Sequence, residues 1–217
     1  MKKRFNTVAL CSNSAKEHII AIADQCLEVM LSQQIKVLID SNLSNLDQRS
    51  IKASKKQEII KNADLVVAIG GDGTMLNYSR IYGYRGIPIL GINLGNLGFL
   101  TDINPQDLTS SLVKVLDGEF QQDKRSFLEA SLKGKKKKHL ALNEVVVHSG
   151  SIAQLIEYDL FINDSFVYRQ KADGLIISSP TGSTGYSLSG GGPIIHPELD
   201  ALILTPMLPQ SLSTSPL

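Results

Sequence analysis

The sequence lacks the features that mark membrane, disulfide-stabilised and nucleic-acid-binding proteins. It has two cysteines and no tryptophan in 217 residues. None of its apolar runs approaches the roughly 18 residues that cross a bilayer. A formal net charge of +1 gives no overall field to attract nucleic acid. The basic start at residues 1–4 is followed by too short an apolar stretch for a signal peptide. We therefore predict a cytoplasmic protein with no membrane or nucleic-acid partner.

Cysteine and histidine are too sparse to predict a metal or disulfide scaffold. Cys11 and Cys26 match no zinc or redox spacing, and we expect both to be buried as small hydrophobic residues. The four histidines lie far apart, so structural roles are favoured over metal binding. The chain is 42% hydrophobic and 20% charged, which predicts one large or two small globular domains.

The first half of the chain alternates short apolar runs with segments of helical periodicity. Strands are predicted at 7–10, 35–39, 65–69 and 87–92, and helices at 15–31, 48–60, 74–82 and 105–116. The apolar runs lack polar alternation, which is typical of a parallel sheet covered on both faces. We predict an α/β N-terminal domain whose ligands bind at the carboxyl ends of its strands.

A two-residue periodicity replaces this pattern in the second half. Strands are predicted at 127–132, 140–148, 155–162 and 166–169, with Asn163-Asp164 as the turn between the last two. Gly118 and the polar run 121–125 fit a linker. We predict an α/β domain at 1–120 and a mainly antiparallel all-β domain at 121–217. The lysines at 135–138 are interpreted as a solvated hairpin tip, because no aromatic residue lies among them.

A phosphate loop is predicted at residues 70–76, Gly-Gly-Asp-Gly-Thr-Met-Leu, directly after the strand at 65–69. Its glycines let backbone N–H groups approach phosphate oxygens where the next helix begins. Asp72 is the exception, since phosphate repels a carboxylate. A carboxylate in this position is expected to bind Mg²⁺, to orient a hydroxyl group or to take its proton. The motif indicates phosphoryl transfer.

Two further segments are candidates for ligand contact. Residues 172–193 are rich in glycine and hydroxyl side chains, and Ser178, Ser179, Thr181, Ser183 and Thr184 are expected to supply donors to a ligand. The alternative is a flexible surface loop. Asn143-Glu144 lies inside the predicted strand 140–148, where one of the two side chains is expected to face inward. A ligand, a water or an edge strand would satisfy it.

These segments together resemble NAD kinases. The resemblance is carried, in the order of that family, by the loop 70–76, the segment Gly91-Ile92-Asn93-Leu94-Gly95-Asn96-Leu97-Gly98-Phe99-Leu100, the pair Asn143-Glu144, and the segment from Asp173 to Tyr186. It implies transfer of the γ-phosphate of ATP, or of a polyphosphate, to the 2′-hydroxyl of the adenosine ribose of NAD, which gives NADP. It also implies Mg²⁺ or another divalent cation, for which no ligand residue is assigned.

The resemblance also implies a role for each site residue. Asp72 is the expected catalytic carboxylate at the 2′-hydroxyl. The expected phosphate-donor loop is Gly70, Gly71, Gly73 and Thr74. The expected NAD-binding residues are Asp72, Gly73, Asn143, Glu144, Lys171, Asp173, Thr184, Gly185, Tyr186, Ser187, Leu188 and Ser189. The family usually has alanine where this chain has Gly185, with a modest expected effect. A homodimer or homotetramer is the expected assembly.

The end of the chain departs from the family. Residues 204–217 resemble a loop inside the second domain, with Gln210 and Ser215 where histidine and arginine are expected. The sequence is therefore interpreted as C-terminally truncated, with sheet edges exposed and activity in question. Two alternatives stay open: a lipid or sugar kinase of the same superfamily, and a non-catalytic remnant that binds nucleotide.

Overall fold

The protein forms two compact units, Met1–Gln122 and Asp123–Leu217, in a computed structural model. The structure describes residues 5–49, 51–94, 100–101, 103–151, 154–210 and 215–217. Residues 95–99 of the family segment 91–100, and residues 211–214 of the chain end, lie outside the described residues. No helix within the described ranges has the length and apolar composition that a membrane span requires.

The first unit alternates strands and helices. Its elements are β1 (Thr7–Cys11), α1 (Glu17–Ser32), β2 (Lys36–Asp40), β3 (Ala53–Ser54), α2 (Lys56–Asn62), β4 (Leu65–Ile69), α3 (Asp72–Ile81), β5 (Ile89–Ile92) and α4 (Leu108–Asp117). Short 3₁₀ segments cover Ser41–Arg49, Gly83–Arg85 and Pro105–Asp107. Gly118 ends α4 in the left-handed conformation, with φ of 94°, as expected for a glycine after a helix.

The five described strands of the first unit form one parallel sheet in the order β3-β2-β1-β4-β5. Helices cover both faces of the sheet, so alternate residues of a strand pack in different cores. Leu10 and Val67 pack in the core that contains α1 and α4. Ala9 and Val66 pack in the core that contains α2 and α3. The predicted α/β fold with a parallel sheet is confirmed.

One predicted helix of the first unit is wrong. The segment 48–60 contains β3, which pairs with β2 through Ala53 and Ser54, and only its end belongs to α2. Backbone hydrogen bonds to the neighbouring strand and the burial of Ser54 outweigh the weak helical periodicity.

The second unit is mainly antiparallel. Its elements are β6 (Leu128–Ser131), β7 (Lys138–Ala141), β8 (Glu144–His148), β9 (Ile156–Ile162), β10 (Ser165–Ala172), β11 (Gly174–Ser178), a 3₁₀ segment (Thr181–Thr184), α5 (Tyr186–Ser189) and β12 (Ile203–Met207). Within the described residues, β6 pairs with β7, β9 pairs with β10, and β12-β11-β8 form a three-stranded sheet. The predicted antiparallel class is confirmed.

Two loop predictions in the second unit are confirmed. Asn163 and Asp164 join β9 to β10, and both have positive φ, 48° and 65°, as a two-residue hairpin turn requires. The lysines at 135–138 lie at the exposed turn between β6 and β7, where Lys138 pairs with Glu129 at 2.7 Å.

The predicted strand 140–148 is wrong in its continuity. It is two strands, β7 and β8, which are separated at Leu142 and Asn143. Leu142 is buried, and the Asn143 carbonyl accepts a hydrogen bond from the Ser179 amide at 2.8 Å instead of pairing in a sheet. Asn143 therefore lies in a break between strands.

Candidate active site

The phosphate loop begins at Gly70, where the backbone leaves the fully buried strand β4. The Gly70 amide donates to the Ile92 carbonyl at 3.0 Å, which fixes the loop to the end of β5. A Cβ atom at position 70 would lie 2.2 Å from Thr74 Oγ1. Glycine is therefore required here by close packing against the half-buried Thr74 side chain.

Gly71 and Gly73 differ from Gly70, since both are exposed and the fold does not require them. No described atom lies within 4 Å of a Cβ built at either position, and neither residue has positive φ. The Gly71 carbonyl accepts from the Thr74 and Met75 amides at 2.9 and 3.2 Å, which starts α3. The amides of α3 before Thr74 have no carbonyl acceptor within the helix, because they precede its first hydrogen-bonded turn. The open surface over them suits a phosphate group.

Asp72 is the first residue of α3 and is half-buried. Its Oδ1 accepts a hydrogen bond from the Leu100 amide at 3.1 Å. Leu100 follows β5 in sequence, so the chain beyond β5 helps to orient this carboxylate. Leu100 belongs to the family segment 91–100, but the sequence interpretation assigns it no role. A backbone contact of this kind leaves no signal in side-chain identity.

In the second unit, Asn143 and Glu144 lie against the segment that contains Gly182 and Gly185. The Asn143 carbonyl would be 2.2 Å from a Cβ atom at Gly182, so the two backbones approach as closely as only glycine permits. A Cβ atom at Gly185 would lie 3.2 Å from Glu144 Oε2 and 3.4 Å from Asn143 Nδ2. The structure thus brings together residues that are about forty positions apart in sequence.

The polar atoms of this cluster are buried, and two of them have no protein partner. Among the described residues, Asn143 Oδ1 and Glu144 Oε2 are buried side-chain atoms without a hydrogen bond. Burial raises the pKa of Glu144, and a hydrogen bond from the Tyr186 backbone amide opposes that rise. Leaving such acceptors unsatisfied costs about 1–3 kcal/mol each. Hydroxyl or amine donors of a ligand would remove that cost.

The hydroxyl groups of 178–184 hold the loop in place instead of facing a ligand, so that expectation is wrong for most of them. Ser178 and Ser179 donate to the Asn143 and Leu142 carbonyls, and Ser183 Oγ accepts from the Ile195 amide. Thr181 Oγ1 accepts from Arg125 at 3.3 Å. These contacts are made by buried side chains, and they position Asn143 and Glu144 beside Gly185.

The other predicted residues of α5 and its approach differ in accessibility. Thr184 is half-buried and its hydroxyl donates to the Thr181 carbonyl at 3.4 Å. Ser187 is fully buried and shares a hydrogen bond with Thr205 at 3.0 Å, so its side chain stabilises the fold. Leu188 and Ser189 are exposed. A ligand can therefore reach the outer side of α5.

Asp173 and Tyr186 line a cavity of about 420 Å³ in the second unit. His148, Ser149 and Gln154 also line it, and the sequence interpretation missed all three. For His148 the available signal was the two-residue period of β8, which places Glu144, Val146 and His148 on one face. Ser149 and Gln154 lie beyond β8, so this period does not reach them. Lys171 is exposed, and its carbonyl accepts from the Gln210 amide at 2.9 Å.

The burial of the two cysteines agrees with the sequence interpretation. Cys11 and Cys26 are buried free thiols, and burial raises the pKa of both. In the described part of the chain, no cluster of three or more His, Cys, Asp or Glu side chains could hold a metal ion.

Comparisons with known proteins find matches for both units. The family models for the ATP-NAD kinase N-terminal domain and C-terminal domain match residues 8–120 and 142–217. NAD kinase from Teredinibacter turnerae is 42% identical over 217 residues, which are 98% of this chain and 74% of that protein. NAD kinase from Tolumonas auensis is 42% identical over 223 residues, which are 100% of this chain and 75% of that protein.

Solved structures give the same result. Yeast NADH kinase complexed with NADH has a TM-score of 0.88 and 26% identity, covering 98% of this chain and 68% of that one. An NAD kinase from Archaeoglobus fulgidus in complex with ATP has a TM-score of 0.78 and 27% identity, covering 97% and 76%. With both domain models matched and relatives above 40% identity along nearly its whole length, this chain belongs to the ATP-NAD kinase family.

Proposed function

We propose that this chain transfers the γ-phosphoryl group of ATP to the 2′-hydroxyl of the adenosine ribose of NAD, which gives NADP. The family phosphorylates NAD to NADP. The observation that carries the proposal is the pair of buried, unpartnered acceptors on Asn143 and Glu144 beside Gly185. Ribose hydroxyls and the adenine amino group are donors of the kind that such acceptors lack.

Asp72 is the proposed catalytic residue at the 2′-hydroxyl. An ordinary Asp pKa of roughly 3.9 is far below that of a sugar hydroxyl, so early removal of the proton is unfavourable. Phosphoryl transfer passes through a loose transition state in which the nucleophile needs little prior activation. Orientation of the hydroxyl and late acceptance of its proton are therefore sufficient. The hydrogen bond from the Leu100 amide supports such a fixed orientation.

The remaining predicted residues have proposed roles that follow from their exposure. Gly70, Gly71, Gly73 and Thr74 form the donor loop, with the exposed surface over Gly71 and Gly73 facing the phosphates. Glu144, Asn143, Gly185 and Tyr186 hold the adenosine part of NAD. Asp173 and the exposed side of α5 continue that binding surface, and Lys171 adds a positive charge near the pyrophosphate.

A divalent cation fits this site when it arrives with the nucleotide. Mg²⁺ usually binds through one or two carboxylates together with substrate phosphates, and it keeps several waters. The absence of a three-residue cluster in the described part of the chain is compatible with that mode. Asp72 is proposed to act at the 2′-hydroxyl, so phosphate oxygens and waters would supply most of the ligands. The ion would supply charge neutralisation on the transferred phosphoryl group.

A coupled assay for NADP tests the proposal. The 217-residue chain is supplied with NAD and Mg²⁺, with ATP as donor and then with polyphosphate. We expect NADP with at least one donor. Phosphorylation of diacylglycerol, sphingosine or a sugar phosphate without NADP formation would assign the chain to a different kinase. Nucleotide binding without turnover would assign it to a non-catalytic role. Donor preference, the homo-oligomeric state and the cytoplasmic location stay predictions.

A further inference from the structure

The order of strands in the first unit places a crevice between β1 and β4. The chain proceeds from β1 to β2 and β3 on one side, and then continues from β4 to β5 on the other. Helix α1, which follows β1, packs on one face of the sheet, and α3, which follows β4, packs on the opposite face. The loops after β1 and β4 therefore diverge. In open parallel sheets, ligands bind at such a point.

The two loops at this crevice are joined by hydrogen bonds. Ser12, directly after β1, is buried and donates from Oγ to the Ile69 carbonyl at the end of β4, at 2.9 Å. Asn77 of α3 donates from Nδ2 to Asn13 Oδ1 at 2.8 Å. The loop at 12–16 is thereby held in a fixed position relative to the phosphate loop at 70–74, on the other side of the crevice.

Asn13 has the chemistry of a phosphate contact. Its side chain is exposed, and the bond from Asn77 occupies the carbonyl end of its amide. That bond directs the Asn13 Nδ2 group, which carries two hydrogens, away from α3. Lys16, the one charged residue of the segment 12–16, is also exposed. An amide donor and a positive charge thus lie on the β1 side of the crevice.

We propose that the loop at 12–16 forms the second wall of the donor site and that Asn13 donates a hydrogen bond to the phosphate chain of ATP. This inference rests on the proposed function for the identity of the donor. Asn13, in the loop after β1, would add a specificity contact to those made by the phosphate loop after β4. The donor's phosphates would then lie between two loops of one unit, which both leave the carboxyl edge of the sheet.

Asn13→Asp tests the contact with little change in shape. The aspartate keeps an oxygen for Asn77 but replaces the Nδ2 donor with a negative oxygen that repels phosphate. Asn62→Asp is the matched control: Asn62 is exposed at the end of α2, before β4 begins, and so lies at the opposite edge of the sheet. We expect Asn13→Asp to raise the KM for ATP by about tenfold or more, with the KM for NAD unchanged within about twofold.

Calorimetry with a non-hydrolysable ATP analogue and Mg²⁺ separates this inference from the proposed function. Weaker binding by Asn13→Asp, with unchanged binding by Asn62→Asp, supports the contact even when no NADP forms. Equal binding by wild type and Asn13→Asp, or an equal loss in Asn62→Asp, would overturn it. A parallel rise in the KM for NAD would also overturn it, because the contact would then not belong to the donor. Failure of the wild type to make NADP would instead overturn the proposed function.

Discussion

The orientation of Asp72 depends on a backbone group that the side-chain pattern does not reveal. Its Oδ1 accepts from the Leu100 amide, and an asparagine at position 72 would keep an acceptor for that bond. Asp72→Asn therefore removes the charge and the proton-accepting capacity while the loop is retained. We expect kcat to fall by about 10²–10⁴-fold, roughly 3–5 kcal/mol, with NAD binding largely unchanged.

Steady-state rates and calorimetric NAD binding check this expectation. Asp117→Asn, at an exposed position in the last turn of α4, is the control and should keep the wild-type rate. Near-normal turnover by Asp72→Asn would show that another group acts at the hydroxyl.

Glu144 gives the protein a pH dependence whose sign follows from burial. Its pKa is higher in the folded chain than in the unfolded chain, so ionisation is harder after folding. Below the unfolded-state pKa, this difference in pKa contributes nothing to the free energy of unfolding. As the pH rises above that value the folded chain is destabilised, and the effect is complete above the folded-state pKa. Glu144→Gln does not ionise. Its Tm minus that of the wild type should therefore grow as the pH rises from about 4.5 towards neutral.

Thermal unfolding across that pH range measures the difference. Glu119→Gln, at an exposed site, should show no such growth. A constant Tm difference for Glu144→Gln would mean that its pKa is not raised by folding. The same variant should bind NAD more weakly, since its amide group replaces one acceptor oxygen with a donor.

At the scale of elements, the segment between β11 and α5 contains two glycines, Gly182 and Gly185, which differ in how well they would accept a side chain. A methyl group at Gly182 would meet the Asn143 backbone carbonyl at 2.2 Å, whereas one at Gly185 would meet the movable end of Glu144 at 3.2 Å and the Gly182 carbonyl at 3.3 Å. We expect Gly182→Ala to destabilise the fold by about 1–3 kcal/mol. Gly185→Ala should change the Tm little and raise the KM for NAD by less than about threefold.

Denaturant unfolding and NAD kinetics on both variants distinguish the two positions. Each is the control for the other, because the change is the same and the positions are three residues apart. Equal loss of stability in both would mean that Glu144 is as immobile as the backbone of Asn143.

Elements with a strong local pattern were predictable from the sequence, and those that depend on distant partners were not. The strand at 65–69 is continuous and apolar, and its observed bounds equal the predicted ones. The Asn163-Asp164 turn follows from residues that tolerate positive φ. By contrast, β3 forms through pairing with β2, and β7 and β8 separate because the Asn143 carbonyl bonds to Ser179. In both cases the partner lies outside the segment that forms the element.

The same distinction applies to the candidate site. Gly70 and Asp72 lie in one motif and could be recognised together. Asn143 and Glu144 stand out as polar residues in an apolar run, but their position beside Gly185 required the fold. The sequence predicts that the hydroxyl groups near Ser179 donate to a ligand, whereas in the structure they donate to backbone carbonyls at Asn143 and Leu142. Composition shows that hydroxyl groups are present, and only the structure shows which acceptors they use.

At the scale of the whole molecule, each of the two compact units carries a different set of the proposed binding residues. The first unit carries the proposed phosphate-donor loop with Asp72, and the second carries the Asn143 and Glu144 cluster that is proposed to hold the adenosine part of NAD. NAD should therefore protect mainly the second unit, and ATP mainly the loop at 70–76. This division is testable without turnover, since binding alone stabilises the state that binds.

Hydrogen exchange on the full chain measures that division directly. With NAD at about 100 times its Kd, stabilisation reaches about 2.7 kcal/mol, which slows amides that exchange through local opening by up to about 100-fold. We expect the largest slowing by NAD in peptides covering 142–148 and 174–189, whereas a non-hydrolysable ATP analogue should slow 70–76 and leave those two peptides unchanged. The β6–β7 hairpin at 128–141 is the internal control and should respond to neither ligand. Slowing of 174–189 by the ATP analogue and not by NAD would reverse the assignment of ligands to units. Slowing of 128–141 together with every other peptide would show that the ligands act on global stability rather than on these sites.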